Sequence, residues 1–585
     1  TRPLFDTEGN YTRIDTYGNP VAVSKQNVSE SRTKALLGSL NLSYTFFNKF
    51  KISTLIGGDL SDKEQDKWFS GLNGSGIFRD GELGRRLLRD RNTRKWNWHS
   101  TLSYVPGFKG LHQMDAIAGI ELRGDRVDFD YARGDGFDNF ATSQPVSLAE
   151  DQDYQSDFSV STARSFFTQW NYNYNQRYFF LVNFRIDQSS VFGGDNDTAY
   201  NGGLGLSWNI SSENFLKNNQ WIDFLRVRTS YGQTGNSRIG SYTALGLYDI
   251  RDTPFAYQSI GQSATLDVDF PPNPNLGWEV NAKFNVGLDL DFLNRFTLTA
   301  DFFRDNLKDL IVSRDIIAEA GYSSARINGA NMYNQGIELS LAANWFPESE
   351  FTWRSSFNLT RIRNKVTSLT GLESEFSSAS LARAQRVGHP TSTLWGFNFV
   401  GIDPANGREL FEVDGEIYDA VTLRNNFDET DWIPLGDTQP DLFGGLNNTF
   451  SYKNISLNII MSYAFGGDIL IRRALVDGYN DLDSRNFTVE VFHDAWKQPG
   501  DIATLPVIIK RSPIVNNSSK YIYDNSHVKL KSVSLRYRVP VEKMKVPFES
   551  LEVGINGSNL HYWFMEASPE GRNGVAELRN PYPEM

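Results

Sequence analysis

Side chains able to do covalent or metal chemistry are few and scattered in this sequence of 585 residues. The six histidines, His99, His112, His389, His493, His527 and His561, stand singly, with no HExxH pair that would set two imidazoles on one helical face around zinc. Cysteine is absent, which excludes disulfides, thiolate metal sites and cysteine nucleophiles together. There is no GxSxG elbow and no GxxxxGK[ST] loop. The Gly-rich stretches "GSGIF" and "NGGLGLSWN" lack the following helix whose N-terminus would receive a phosphate, so they read as loop and strand glycines. Two acidic stretches, 193–203 and 477–486, carry the carboxylate and carbonyl oxygens that Ca²⁺ takes, or are solvated loops. Four aromatics within one long polar stretch, Trp395, Phe397, Tyr418 and Trp432, offer flat apolar faces that suit the CH surface of a sugar ring; the alternative is that they pack the stretch itself. The inventory points to binding, and neither an enzymatic activity nor a bound cofactor is expected.

The elements that must position these residues are strands. In "NVGLDLDFLNRFTLTADFFRDN" (285–306), Val286, Leu288, Leu290 and Phe292 alternate with Asn285, Gly287, Asp289 and Asp291, the chain reverses at Leu293, Asn294 and Arg295, and the alternation resumes. Such period-two runs recur along the chain, giving 16 candidate strands and no convincing long helix. Their connections alternate: brief turns, as at 47–49, 174–176, 293–295 and 453–454, exchange with long excursions at 59–94, 124–162, 188–201, 232–282, 305–333, 363–441 and 466–527. Short turns at one end and long loops at the other are what a transmembrane barrel shows, whereas sandwiches and propellers have no physical reason to keep that asymmetry. The apolar face is therefore expected to look outward to lipid. Tyr44, Trp96, Trp98, Tyr104, Trp208, Tyr231, Trp345, Trp353, Tyr463 and Tyr537 fall near strand ends, where an interfacial girdle puts them.

Composition agrees with an all-β transmembrane antiparallel barrel. Mean hydropathy is −0.43 and no apolar run is long enough for a membrane helix, but a barrel dilutes its hydropathy because every second residue faces a polar lumen. The net charge of −12 argues against nucleic acid as a partner. A soluble carbohydrate-binding β protein is the competing reading; extraction separates the two, since only a barrel needs detergent.

Several segments, "FRIDQSSVFG" (184–193), "LRVRTSYGQTGNSRIGSY" (225–242), "NPNLGWEVNAKFNVGLDLDFLNRFTLTADFFRDNLKDLI" (273–311), "NMYNQGIELSL" (331–341), "LGDTQPDLFGGLNNTFSYKNISLNI" (435–459) and "YIYDNSHVKLKSVSLRYRVP" (521–540), together resemble the SusC/RagA family of TonB-linked outer-membrane transporters of Bacteroidetes. The resemblance implies a barrel of about 22 strands, an N-terminal plug with a TonB box, and a SusD-like surface lipoprotein as lid. On that basis residues 1–585 are expected to be a partial barrel, with plug, first strands and closing strand outside the chain, serving TonB-driven import of a large polar ligand, glycan or peptide. A structural or secretion-linked barrel component is the alternative within the same fold.

Overall fold

The computed structural model describes residues 4–5, 9, 11–12, 19–77, 83–106, 110–193, 196–237, 239–245, 248–251, 263–266, 271–317, 322, 324–370, 385–471, 493–508, 515–541 and 549–565. The dominant element is a sheet of 16 antiparallel strands whose spatial order is the chain order. The strands are β1 (Val28–Phe46), β2 (Phe50–Phe69), β3 (Arg85–Tyr104), β4 (His112–Asp135), β5 (Asp151–Tyr174), β6 (Tyr178–Ser189), β7 (Thr198–Asn209) and β8 (Ile222–Asn236). They continue as β9 (Glu279–Phe292), β10 (Phe296–Asp315), β11 (Ser324–Asn344), β12 (Phe351–Leu369), β13 (Leu442–Tyr452), β14 (Ile455–Phe465), β15 (His527–Val539) and β16 (Leu551–Phe564). Among the described residues, helix is confined to short segments such as Pro20–Gln26 and Ala420–Asn426, and no helix is long and apolar enough to cross a membrane, which says nothing of strands.

Register carries one face across the sheet. The row Leu225, Leu290, Leu298, Leu341, Phe357, Leu446, Met461 and Leu530 runs side by side through β8–β15. The adjacent row on the other face reads Arg226, Asp289, Thr299, Ser340, Asn358, Gly445, Ser462 and Lys529. Because side chains alternate with period two, a slip of one residue would bring members of the polar row into the apolar one, so the pattern itself fixes the pairing. Leu36, Leu40, Leu42, Ile52, Ile56 and Leu60 continue the apolar face on β1 and β2 and are exposed, as lipid contacts must be.

At one end the strands reverse tightly. Phe47 and Asn48, Asn175 and Gln176, and Leu293 and Asn294 all have φ between 50° and 54° or, for Leu293, 57°, the left-handed pair that a two-residue hairpin needs to match strand twist. Asn tolerates that region, and Phe47 and Leu293 accept strain to keep an apolar side chain at the turn. Just inside these turns lies a ribbon of rings: Phe292 and Phe296 at 5.0 Å, Phe296 and Trp345 at 5.5 Å, Trp345 and Trp353 at 5.1 Å, Trp353 and Phe450 at 5.6 Å. The two indoles satisfy themselves within the sheet, Trp345 Nε1 donating to Ser355 Oγ at 2.8 Å and Trp353 Nε1 to Asn448 Oδ1 at 2.9 Å. This is the aromatic belt of a membrane interface.

At the other end several strands run longer than expected. β4 and β5 have 24 residues each, against the roughly 9–11 that cross a bilayer. The stretches 59–94, 124–162 and 305–333, expected as loops, are therefore largely strand, leaving connections only at 70–84, 136–150 and 316–323. Their alternation continues in charge after it has stopped in hydropathy, as in Lys63, Glu64, Gln65, Asp66 and Lys67.

Candidate functional site

A barrel wall of this kind acts through its inner face and its rim. On the inner face, charged side chains cross-link neighbouring strands. Asp289 on β9 receives Arg226 at 2.9 Å and Arg228 at 3.3 Å from β8, while Arg228 also reaches Asp301 of β10 at 2.6 Å and Asn285 donates to that same carboxylate at 3.1 Å. A second network centres on Arg185 of β6, which bridges Glu121 at 2.6 Å and Asp187 at 2.7 Å; Ser165 and Asn201 also donate to Asp187, at 2.6 and 2.7 Å. Partly solvated pairs of this sort add little stability each, but they satisfy the charges that the alternation forces inward and keep the face hydrophilic.

The rim is built chiefly by the connections 370–441 and 466–526, which leave β12 and β14. Their described parts fold together. Strand Thr393–Gly396 pairs with Ile433–Asp437, and Asn398–Ile402, Glu409–Val413 and Glu416–Asp419 form a three-stranded meander that hands over to the helix Ala420–Asn426. The helix starts at Asp419, whose carboxylate accepts the Thr422 N–H at 2.8 Å and pairs with Arg408 at 2.6 Å; those interactions lower its pKa from 3.8 to about 2.

The second connection seals this unit. Phe397 forms a parallel bridge with Ser518, and the buried carboxylate of Glu409 accepts from Lys520 Nζ at 2.8 Å, from the Val515 N–H at 3.1 Å and from the Tyr521 hydroxyl at 3.4 Å. Lys520 Nζ also lies 4.9 Å from the centre of the Phe399 ring. Trp496 Nε1 donates to the Pro404 carbonyl at 3.0 Å, and Val507 N–H to that of Gly407 at 2.9 Å. Each connection thus supplies hydrogen-bond partners to the other.

The four loop aromatics read from sequence come together here. Trp395, Phe397 and Trp432 are 2%, 7% and 6% exposed and form one core with Phe411, Val413, Ala420 and Leu423. Tyr418 is half-buried against Phe427, ring centres 4.8 Å apart. The Arg386 guanidinium lies 4.6 Å over Trp395 and donates to the Trp432 and Thr430 carbonyls, both at 3.0 Å; burial lowers its pKa. The ring faces of the three buried residues are thus taken by the protein itself, which is the packing alternative. Sequence spacing missed Glu409 and Lys520, because 111 positions separate them.

Of the acidic stretches, 477–486 and residues 194–195 lie outside the described residues; among the described residues no group of three or more His, Asp or Glu is placed to hold a metal ion. Asp197 accepts the Thr198 hydroxyl at 2.6 Å.

An apolar outer face, a polar inner face, hairpins at one end and a folded rim at the other define an outer-membrane receptor barrel. Residues 2–386 match the family described as TonB dependent receptor-like, beta-barrel, and the chain belongs to that family. It is similar to TonB-dependent receptor P26 of Formosa agariphila, 27% identical over 621 residues, 100% of this chain and 61% of that protein. It is also 27% identical to TonB-dependent receptor SusC of Bacteroides thetaiotaomicron over 75% of this chain and 44% of that protein. The chain thus spans about three-fifths or less of these relatives' length. Among solved structures, that of the RagAB peptide transporter superposes with a TM-score of 0.82 at 20% identity, covering 96% of this chain and 62% of that one. The chain's place is the outer membrane, and the named relatives, from Formosa agariphila and Bacteroides thetaiotaomicron, are receptors, while the similar solved structure is a transporter.

Proposed function

We propose that this chain is the larger part of the barrel of an outer-membrane importer that takes up a large polar ligand, an oligosaccharide or peptide, under a SusD-like lipoprotein lid. The plug, its TonB box and the remaining strands would lie outside these residues, and TonB would drive a conformational step of the plug with no bond made in this chain. The observation that carries the reading is the folded rim: two connections united over one arc of the barrel offer a rigid surface to a lid and one wall of a vestibule, which the hairpins at the other end are too short to build. The share of SusC and of the RagAB peptide transporter that this chain spans supports the partial-barrel reading. In this proposal Trp395, Phe397 and Trp432 serve capture indirectly, by holding the rim's shape, and Tyr418 is the one of the four with ring surface to spare for a ligand.

The test is deletion of residues 413–432, which removes Val413, Ala420, Leu423 and Trp432 from the rim's core. Barrel assembly should survive while growth on the cognate nutrient and lid retention are lost. Uptake that persists at wild-type rate without those residues would reject the rim's part in capture, and a chain that supports no uptake even with the rim intact would reject the import reading in favour of a structural role. Protease added to intact cells should cut within 363–441 and spare 293–295 and 453–454; the reverse pattern would invert the topology.

A further inference from the structure

Above the lipid-facing band, β2 and β3 continue as a ribbon whose two faces carry different charge. The outward face is balanced and partly covered. Lys34 lies 3.3 Å from Glu64, Arg86 reaches Asp66 at 2.8 Å, Arg126 pairs with Asp128 at 2.6 Å, and Trp68 is buried under Phe137 and Ala149 of the connection 136–150. The inward face presents Lys63, Lys67, Arg89 and Arg91, none of which has a carboxylate within ion-pair distance among the described residues. Lys63 and Arg91 are direct cross-strand partners, a like-charge pairing that destabilises a sheet unless something anionic lies over it. Lys95, further down, has Asp59 and Asp125 opposite it on its two sides and is not counted with them.

Two rings sit beside these cations. Tyr131 lies opposite Arg89, whose guanidinium is 5.5 Å from the ring centre, and Phe129 lies opposite Arg91. A guanidinium next to a flat apolar face matches a sugar ring that carries a carboxylate or sulfate: the charge meets Arg, the CH surface meets the ring. This basic wall belongs to a chain whose net charge is −12, so it is a local arrangement and no consequence of bulk composition.

Resting on the importer reading, we infer that the vestibule selects an anionic oligosaccharide, with Lys63, Lys67, Arg89 and Arg91 as specificity-determining residues and Phe129 and Tyr131 as stacking faces. An acidic peptide would meet the same cations but leave the rings without a matching partner.

The test uses the receptor purified in detergent from the outer membrane, titrated calorimetrically with an oligogalacturonate, a maltooligosaccharide of equal length and an oligo-aspartate. The galacturonate should bind at least about tenfold more tightly than the neutral oligomer, with affinity falling as salt rises. Lys63→Gln together with Arg91→Gln should erase most of that advantage, and Lys34→Gln with Arg94→Gln on the outward face should keep it. Equal binding of charged and neutral oligomers, an unchanged advantage in the inward pair, or preference for oligo-aspartate would each overturn the inference. Uptake of the maltooligosaccharide by cells, at a rate the inward pair leaves unchanged, would overturn it while the importer reading stands; a receptor that imports nothing, with or without residues 413–432, would bring down both.

Discussion

The two ends of this sheet solve opposite problems. At the hairpin end the chain turns in two or three residues at 47–49, 175–177, 293–295 and 453–454, and stability comes from rings stacked along the membrane interface, from Phe292 through Trp345 to Phe450. At the rim end, the first connection folds around a core of its own, and the second closes over it through a buried ion pair. The first is local and repeats from hairpin to hairpin. The second is non-local and occurs once among the described residues. The difference teaches that a barrel can vary its rim without touching its wall, because the two draw on different contacts.

The sharpest way to break that separation is Lys520→Met. Glu409 is 1% exposed, so removing its cation leaves a buried carboxylate unpaired, at a cost of about 3–5 kcal/mol. Hydrogen exchange should show the rim opening while protection of the wall strands is unchanged. Loss of the wall as well would show that the two regions fold as one.

Next comes the wall itself. Leu288 lies mid-band, between Val227 and Ala300, so Leu288→Arg should cost about 2–4 kcal/mol in a bilayer folding assay. Thr297→Arg, on the inner face, should cost much less. Equal losses would contradict the assignment of faces. Leu290, the nearer neighbour of Phe292, lies closer to the interface and should respond less than Leu288.

A smaller effect is expected at the helix cap. Asp419→Ala removes the acceptor for Thr422 and the partner of Arg408, worth about 0.5–2 kcal/mol to the rim. Because the folded pKa is depressed from 3.8 to about 2, this contribution is fully present above the ordinary carboxylate value and fades as pH falls towards 2. Limited proteolysis of the rim should therefore distinguish wild type from variant at neutral pH and lose the distinction in strong acid.

Smallest is Trp353→Phe, which keeps the ring ribbon but strands Asn448 without its donor. About 1 kcal/mol should be lost from the wall and nothing from the rim, measured by the same folding and proteolysis assays.

The wall was legible because membrane and lumen impose alternate demands on successive residues, so each of the 16 strands announced itself, even β14 with its lone Ile460 on the inner side. Strand length was not. Beyond Leu60 the outward positions become Asp62, Glu64 and Asp66, and a reading based on hydropathy sees only a polar stretch where the structure keeps pairing as far as Phe69. The rim was half legible. Trp395, Phe397 and Trp432 stood out as large rings in a polar segment, but whether such rings face a ligand or one another depends on contacts between segments. Glu409 illustrates why: in sequence it is one acid among many, and its role exists only once Lys520 arrives from the following connection.

The seal between the two connections also bears on how such receptors diversify. A recombination that replaced 370–441 and kept the resident 466–526 would place a foreign segment opposite Lys520 and Ser518, and unless it brought an acid to the position of Glu409 the lysine would be left without its counter-ion. The two segments are therefore a single heritable unit despite being separated by β13 and β14. New specificities that arise by shuffling should be found exchanged in that pair, whereas those that arise by point change are free to accumulate on the surface the seal leaves exposed.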